Sequence, residues 1–182
     1  MGTERFHQNI TGGWTIGSIL RYSSGLVIRT PTSNNNLGAL LFRGTNVNRV
    51  AGQPLFLKDP NCHCFDPNKE FILNPAAWAD AAPGEWGTAA AYYGDYRTAR
   101  RPDEQFSLGR TFPIKEKLAF SVRVEMFNAF NRTYLNNPDS GNAQATQVVN
   151  AAGAVVSGFG RVNTATTNLP PRSGQIVARF QF

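Results

Sequence analysis

The densest group of reactive side chains in this 182-residue sequence is Cys62-His63-Cys64, with Asp59 and Asp66 on the same stretch. Two thiolates and an imidazole can bind metal. A zinc site, however, wants about four donors at recognisable spacings. The other histidine, His7, is far away in sequence. The same cysteines could close a local disulfide in an oxidising compartment or stay free thiols, and the spacing leaves both open. No nucleophile stands beside a base in any known spacing, and no GxSxG, HExxH or phosphate-cradling glycine loop occurs. The expectation is a chain with no catalytic, cofactor-binding or metal-binding residues, and no enzyme.

Two further groups could bind rather than react. Trp78, Trp86, Tyr92, Tyr93 and Tyr96 crowd one stretch. Such rings stack on sugars or chelates when exposed, and pack a loop onto itself when buried. The 18 basic residues exceed the 12 acidic ones, giving a net charge of +6. The arginines are scattered rather than clustered, so no nucleic-acid partner is expected.

The elements that must carry these groups are strands. Four segments alternate apolar and polar residues with period two, over residues 13–28, 104–112, 117–130 and 173–182. One face collects Trp14, Ile16, Leu20 and Tyr22; Phe106, Leu108 and Phe112; Leu118, Phe120, Val122, Val124 and Met126; and Ile176, Ala178, Phe180 and Phe182. The opposite face carries Arg21, Arg123, Glu125 and Arg179 among small polar residues. No persuasive amphipathic helix occurs. Asn74-Pro75-Ala76-Ala77 predicts a single helical turn capped by Asn74, with Pro75 at its first position.

The connections run long, short, long: about residues 29–103, then 113–116, then 131–172. In an antiparallel meander, alternate connections fall at alternate ends, so both long ones share an end. Outer-membrane barrels have that asymmetry, with long outer loops and short periplasmic turns. Loops of this length are uncommon in a compact domain unless they have a function. Trp14 and Tyr22 lie eight residues apart on one face, roughly 26 Å along a strand and about 20 Å in depth after tilting. That suits an apolar band of about 25 Å between aromatic girdles, with Phe112 and Phe182 at the periplasmic end and Tyr22 at the outer one. Arg110 is the misfit, since its parity puts it with Phe106, Leu108 and Phe112. It must either snorkel at the periplasmic rim or be turned away by a bulge. The same alternation also fits a soluble antiparallel sheet, but a chain ending in an exposed apolar strand would invite edge pairing.

Several stretches, in order, resemble the C-terminal end of TonB-dependent outer-membrane transporters of the Oar-like type. They are Gly12-Gly13-Trp14-Thr15-Ile16 running on through Arg21-Tyr22-Ser23-Ser24-Gly25, then Asn74-Pro75-Ala76-Ala77-Trp78. Arg123-Val124-Glu125-Met126-Phe127-Asn128-Ala129-Phe130-Asn131 follows, then Phe159-Gly160-Arg161-Val162, Pro171-Arg172 and the terminal strand. The resemblance implies an all-β, antiparallel up-and-down transmembrane barrel portion of about four C-terminal strands with long extracellular loops. It implies lipid on the apolar face and lumen beside Arg21, Arg123, Glu125 and Arg179. Ile176, Ala178, Phe180 and Phe182 would form the signal read by the barrel-assembly machinery. Residues 1–182 would then be a fragment of the bacterial outer-membrane receptor. TonB and plug contacts would belong to an N-terminal part that these residues do not contain. The loop rings would touch an unidentified cargo such as a carbohydrate, chelate or peptide-like molecule. A surface adhesin or binding domain and a passive porin are the alternatives.

Overall fold

The computed structural model describes residues 12–35, 45–62, 64–165 and 169–182. Among these residues the strands are, in chain order, β1 (Trp14–Ser23), β2 (Val27–Arg29), β3 (Asn48–Arg49), β4 (Trp78–Ala79) and β5 (Tyr92–Arg97). They continue as β6 (Arg101–Lys115), β7 (Leu118–Phe127), β8 (Val148–Val149), β9 (Val155–Ser157) and β10 (Ser173–Gln181). The described residues fall into two compact units, one of residues 12–22, 101–133 and 169–182, the other of residues 23–100 and 134–165.

The first unit is a single antiparallel sheet in the order β1-β6-β7-β10. It is a meander of the four segments that alternate in sequence. Along β6 and β7, Phe106 pairs with Met126, Leu108 with Val124 and Phe112 with Phe120. Along β7 and β10, Val124 pairs with Ile176 and Phe120 with Phe180. The Thr111 N–H donates to the Gly13 carbonyl at 2.9 Å, and the Ser107 hydroxyl donates to the Gly17 carbonyl at 3.4 Å. These contacts put Ile16 beside Leu108. Gly13 has φ of +78°, and a Cβ there would stand 2.6 Å from the Thr111 oxygen, so glycine lets β1 begin this close to β6. Because side chains alternate across a strand, this register gathers every apolar-parity residue on one face.

The strand ends differ from the sequence expectation for local reasons. The segment expected over 13–28 stops at Ser23, and 27–29 becomes β2, which pairs with β5 in the second unit. Gly25 interrupts it, because a Cβ there would lie 1.7 Å from the Thr98 carbonyl oxygen. The segment expected over 117–130 ends at Phe127, where Asn128 (φ 47°) and Asn131 (φ 52°) enter the left-handed region. On the other side β6 runs beyond its expected ends, to Arg101 and Lys115, with a register shift between Pro113 and Lys115.

The second unit is where the long connections go. They are not structureless. Ile28, Val47, Leu55, Ile72, Leu73, Ala77, Trp78, Ala89, Tyr96, Ala143, Phe159 and Val162 form one buried cluster. Three two-stranded ladders, β2–β5, β3–β4 and β8–β9, frame it. Residues Pro75–Ala77 form the expected capped turn, as a 3-10 turn in which Asn74 Oδ1 accepts from the Ala76 N–H at 3.1 Å. Among the described residues, every buried hydrophobic side chain belongs to this second unit.

Candidate functional site

The apolar face of the sheet is unburied. Ile16 is 80% exposed and Ile176 74%, and Leu20, Leu108, Val124 and Met126 on the same face are also exposed. Aliphatic residues occupy the middle of this face and aromatic ones its ends. At the short-turn end, Phe120 sits between Phe112 (ring centroids 6.2 Å apart) and Phe180 (4.6 Å). Trp14 lies one layer further in, and Phe182 is fully exposed past the end of β10. Toward the other end stands the edge-on pair Phe106–Phe130, 5.8 Å apart, with Tyr22 about four residues further out along the sheet. Leu118, Val122 and Ala178 complete this face by their register.

Arg110 keeps its apolar-face parity. The register runs unbroken through Gly109–Arg123, Arg110–Val122 and Thr111–Ser121, so no bulge turns it away. Its guanidinium instead lies over two rings, 5.1 Å from the Trp14 centroid and 4.7 Å from that of Phe112.

The opposite face is polar. Arg123 Nε donates to Glu125 Oε1 at 2.8 Å, and Gln175 Nε2 donates to Glu125 Oε2. The Ser121 hydroxyl donates to the Arg179 carbonyl at 3.4 Å, and Arg21 is exposed. Arg123 and Glu125 therefore satisfy one another.

One constellation carries no sequence motif. Glu104 has the parity of Phe106 and Leu108 yet is fully buried. Arg132 grips it through both carboxylate oxygens, Nη2 to Oε1 at 2.9 Å and Nε to Oε2 at 3.3 Å. Asn128 ties the same corner together. Its Nδ2 donates to the Arg132 carbonyl (2.9 Å) and the Pro170 carbonyl (3.0 Å), and its Oδ1 accepts from the Arg132 N–H (2.7 Å). A carboxylate at apolar parity was the available signal, because a buried charge demands a partner. The clasp binds β6, the end of β7 and the approach to β10 at the rim opposite the short turn.

In the second unit the five aromatic candidates divide. Trp78 (3% exposed) and Tyr96 (0%) are core, with ring centroids 5.5 Å apart. Tyr93 packs on Trp78 at 6.0 Å. Of the rings expected to touch cargo, Trp78 and Tyr96 are therefore stacked inward in this core. Trp86 (61%) and Tyr92 (58%) remain exposed. Burial raises the Tyr96 phenol well above its ordinary pKa, partly offset by the facing Trp78 indole N–H. Neither polar atom makes a hydrogen bond of good geometry. Arg49 braces the same core, donating to the Ala77 carbonyl at 3.0 Å with its guanidinium 5.5 Å from the Trp78 ring centroid. An open cleft of about 420 Å³ lies between the 24–25, 59–61 and 94–100 stretches. There Arg97 donates to the Gly94 and Gly25 carbonyls, and Arg100 to Asn61 Oδ1. Cys62 and Cys64 are joined as a disulfide, so neither offers a free thiolate. His7 and His63 lie outside the described residues.

An antiparallel meander with an exposed apolar face, aliphatic in the middle and aromatic at both ends, is the wall of an outer-membrane β-barrel protein. The family model for an outer membrane beta barrel domain matches residues 1–175. The chain belongs to that family, whose place is the bacterial outer membrane. No curated protein and no solved structure matches it.

Proposed function

We propose that this chain supplies wall strands and part of the outer vestibule of an active, TonB-dependent transporter of the Oar-like type. The observation that carries the reading is how apolar surface is divided. The strands leave theirs exposed, while the long connections bury theirs in a core of their own. A loop unit folded in this way is built for recognition rather than for linking strands. The ordered stretches from Gly12 to Phe182 add the transporter likeness.

The sheet as described is open, with β1 and β10 at its edges. Inside lipid every backbone N–H and C=O must be paired, so further strands must continue the wall on both sides. Outer-membrane transporters of this kind have large barrels with a plugged lumen. TonB and the plug would then act on this wall from elsewhere in the receptor. Cargo would meet the exposed Trp86 and Tyr92 and the cleft beside Arg97 and Arg100.

The test is planar-bilayer conductance of the outer-membrane protein that contains this wall, with cargo uptake measured in cells with and without TonB. A closed barrel and TonB-dependent uptake support the proposal. A steady open conductance would replace it with a passive porin. A closed barrel that binds cells or matrix without uptake would replace it with an adhesin. Phe182→Ala in the same protein should lower surface levels if the terminal strand is the assembly signal.

A further inference from the structure

Arg110 is an arginine on an oily face with, among the described residues, nothing anionic beside it. β6 is an interior strand, flanked by β1 and β7, so the neighbours of Arg110 on both sides are defined. On its own face they are Trp14, Val122, Leu108 and Phe112, and none is acidic. The guanidinium is held between the Trp14 and Phe112 rings. Its Nε is buried without a hydrogen-bond partner. Among the described residues no ion pair reaches it. Any anion it meets must therefore come from outside the sheet. Its level is two residues inside the Phe112–Phe120–Phe180 layer, about 5 Å in depth for a tilted strand. A side chain of this length reaches the headgroup zone from there.

We propose that Arg110 is a binding site for the headgroup phosphate of a glycerophospholipid in the leaflet at the short-turn rim. The inference rests on the sheet being a membrane wall. The planar guanidinium fork matches two phosphate oxygens, and the two rings fix its direction, so binding does not have to order a free side chain. An anionic phospholipid such as phosphatidylglycerol is preferred, because a zwitterionic lipid brings its own cation to compete for the phosphate.

Trp14 is the built-in reporter. The outer-membrane protein that contains this wall is reconstituted in vesicles containing either phosphatidylglycerol or phosphatidylcholine with brominated acyl chains. Trp14 emission is isolated by subtracting the Trp14→Phe signal. Brominated phosphatidylglycerol should quench Trp14 severalfold more effectively than brominated phosphatidylcholine. Arg110→Gln should equalise the two lipids while leaving phosphatidylcholine quenching intact, which shows that the variant is still inserted. Arg110→Lys should keep part of the preference. A preference that survives in Arg110→Gln overturns the proposal, as does its loss on adding inorganic phosphate, which would mean that free phosphate is the ligand. Trp14 left unquenched by both lipids would overturn the membrane wall itself.

Discussion

Replacing Val124 with arginine puts a charge at the depth where hydrocarbon surrounds the wall on both sides of the midplane. Val124 is four residues along β7 from Phe120, in the short-turn aromatic layer. That is about 13 Å along the strand, or about 10 Å of depth at a tilt near 40°. Across the ladder on β1 stands Ile16, six residues short of Tyr22, which is about 15 Å of depth from Tyr22 itself. Val124 therefore sits near the middle of an apolar band of about 25 Å. Arginine at that depth costs about 2–4 kcal/mol, roughly a 30- to 700-fold loss in the folded-to-unfolded ratio at tenfold per 1.4 kcal/mol. Ser121→Arg, three residues away on the polar face, is the control, and should stay within about 0.5 kcal/mol. Both are measured by urea titration of the protein in phospholipid vesicles. Equal losses at the two positions, or the larger loss at Ser121, would refute the assignment of faces.

The remaining expectations concern specific contacts. Arg132→Ala should destabilise the sheet corner by about 1–3 kcal/mol, since it leaves the buried Glu104 carboxylate without its guanidinium. Arg123→Ala, which breaks an exposed pair, should cost under about 1 kcal/mol in the same titration. Tyr96→Phe should be neutral or stabilising, because the lost hydroxyl is buried and unsatisfied, whereas Tyr96→Ala should cost about 3–5 kcal/mol; thermal unfolding of the loop unit distinguishes them. The Lys58 ammonium at 2.6 Å and the Asp66 N–H hold the Glu70 carboxyl below its ordinary value of 4.5. A depressed carboxyl pKa stabilises the fold fully above that value and loses its contribution as pH falls below it. Glu70→Gln should therefore flatten the acid side of the loop unit's stability profile, and an unchanged slope would show that the pairing contributes nothing.

The sheet was legible because period-two alternation is a direct image of its two faces. Trp14 to Tyr22, Phe106 to Phe112 and Leu118 to Met126 declare their sides without help from the rest of the chain. Strand ends were less legible because contacts distant in sequence set them. Gly25 stops β1 through the Thr98 backbone, and Asn128 stops β7 by folding its own side chain onto Arg132 and Pro170. The loop unit was illegible for a different reason. Its core residues run from Ile28 to Val162 with no period, and several of its ladders are only two or three residues long. Strand β5, Tyr92-Tyr93-Gly94-Asp95-Tyr96-Arg97, carries Gly and Asp, which weaken any strand signal. Its pairing with β2 depends on a partner more than sixty residues away. Of the loop aromatics, nothing local separates the buried Tyr96 from the exposed Tyr92. Only the assembled core does.

As a membrane wall, the sheet turns its Trp14–Ile16–Leu108–Val124–Ile176 face to lipid and its Ser107–Ser121–Arg123–Gln175 face away from it. Spin labels placed singly at residues 121 to 126 in the membrane-reconstituted protein test it most directly, by their relative accessibility to dissolved oxygen and to a water-soluble nickel chelate. Labels at 122, 124 and 126 should favour oxygen, alternating with the intervening positions. Labels at 122, 124 and 126 that are shielded from both reagents would contradict it, since that face would then be packed against protein.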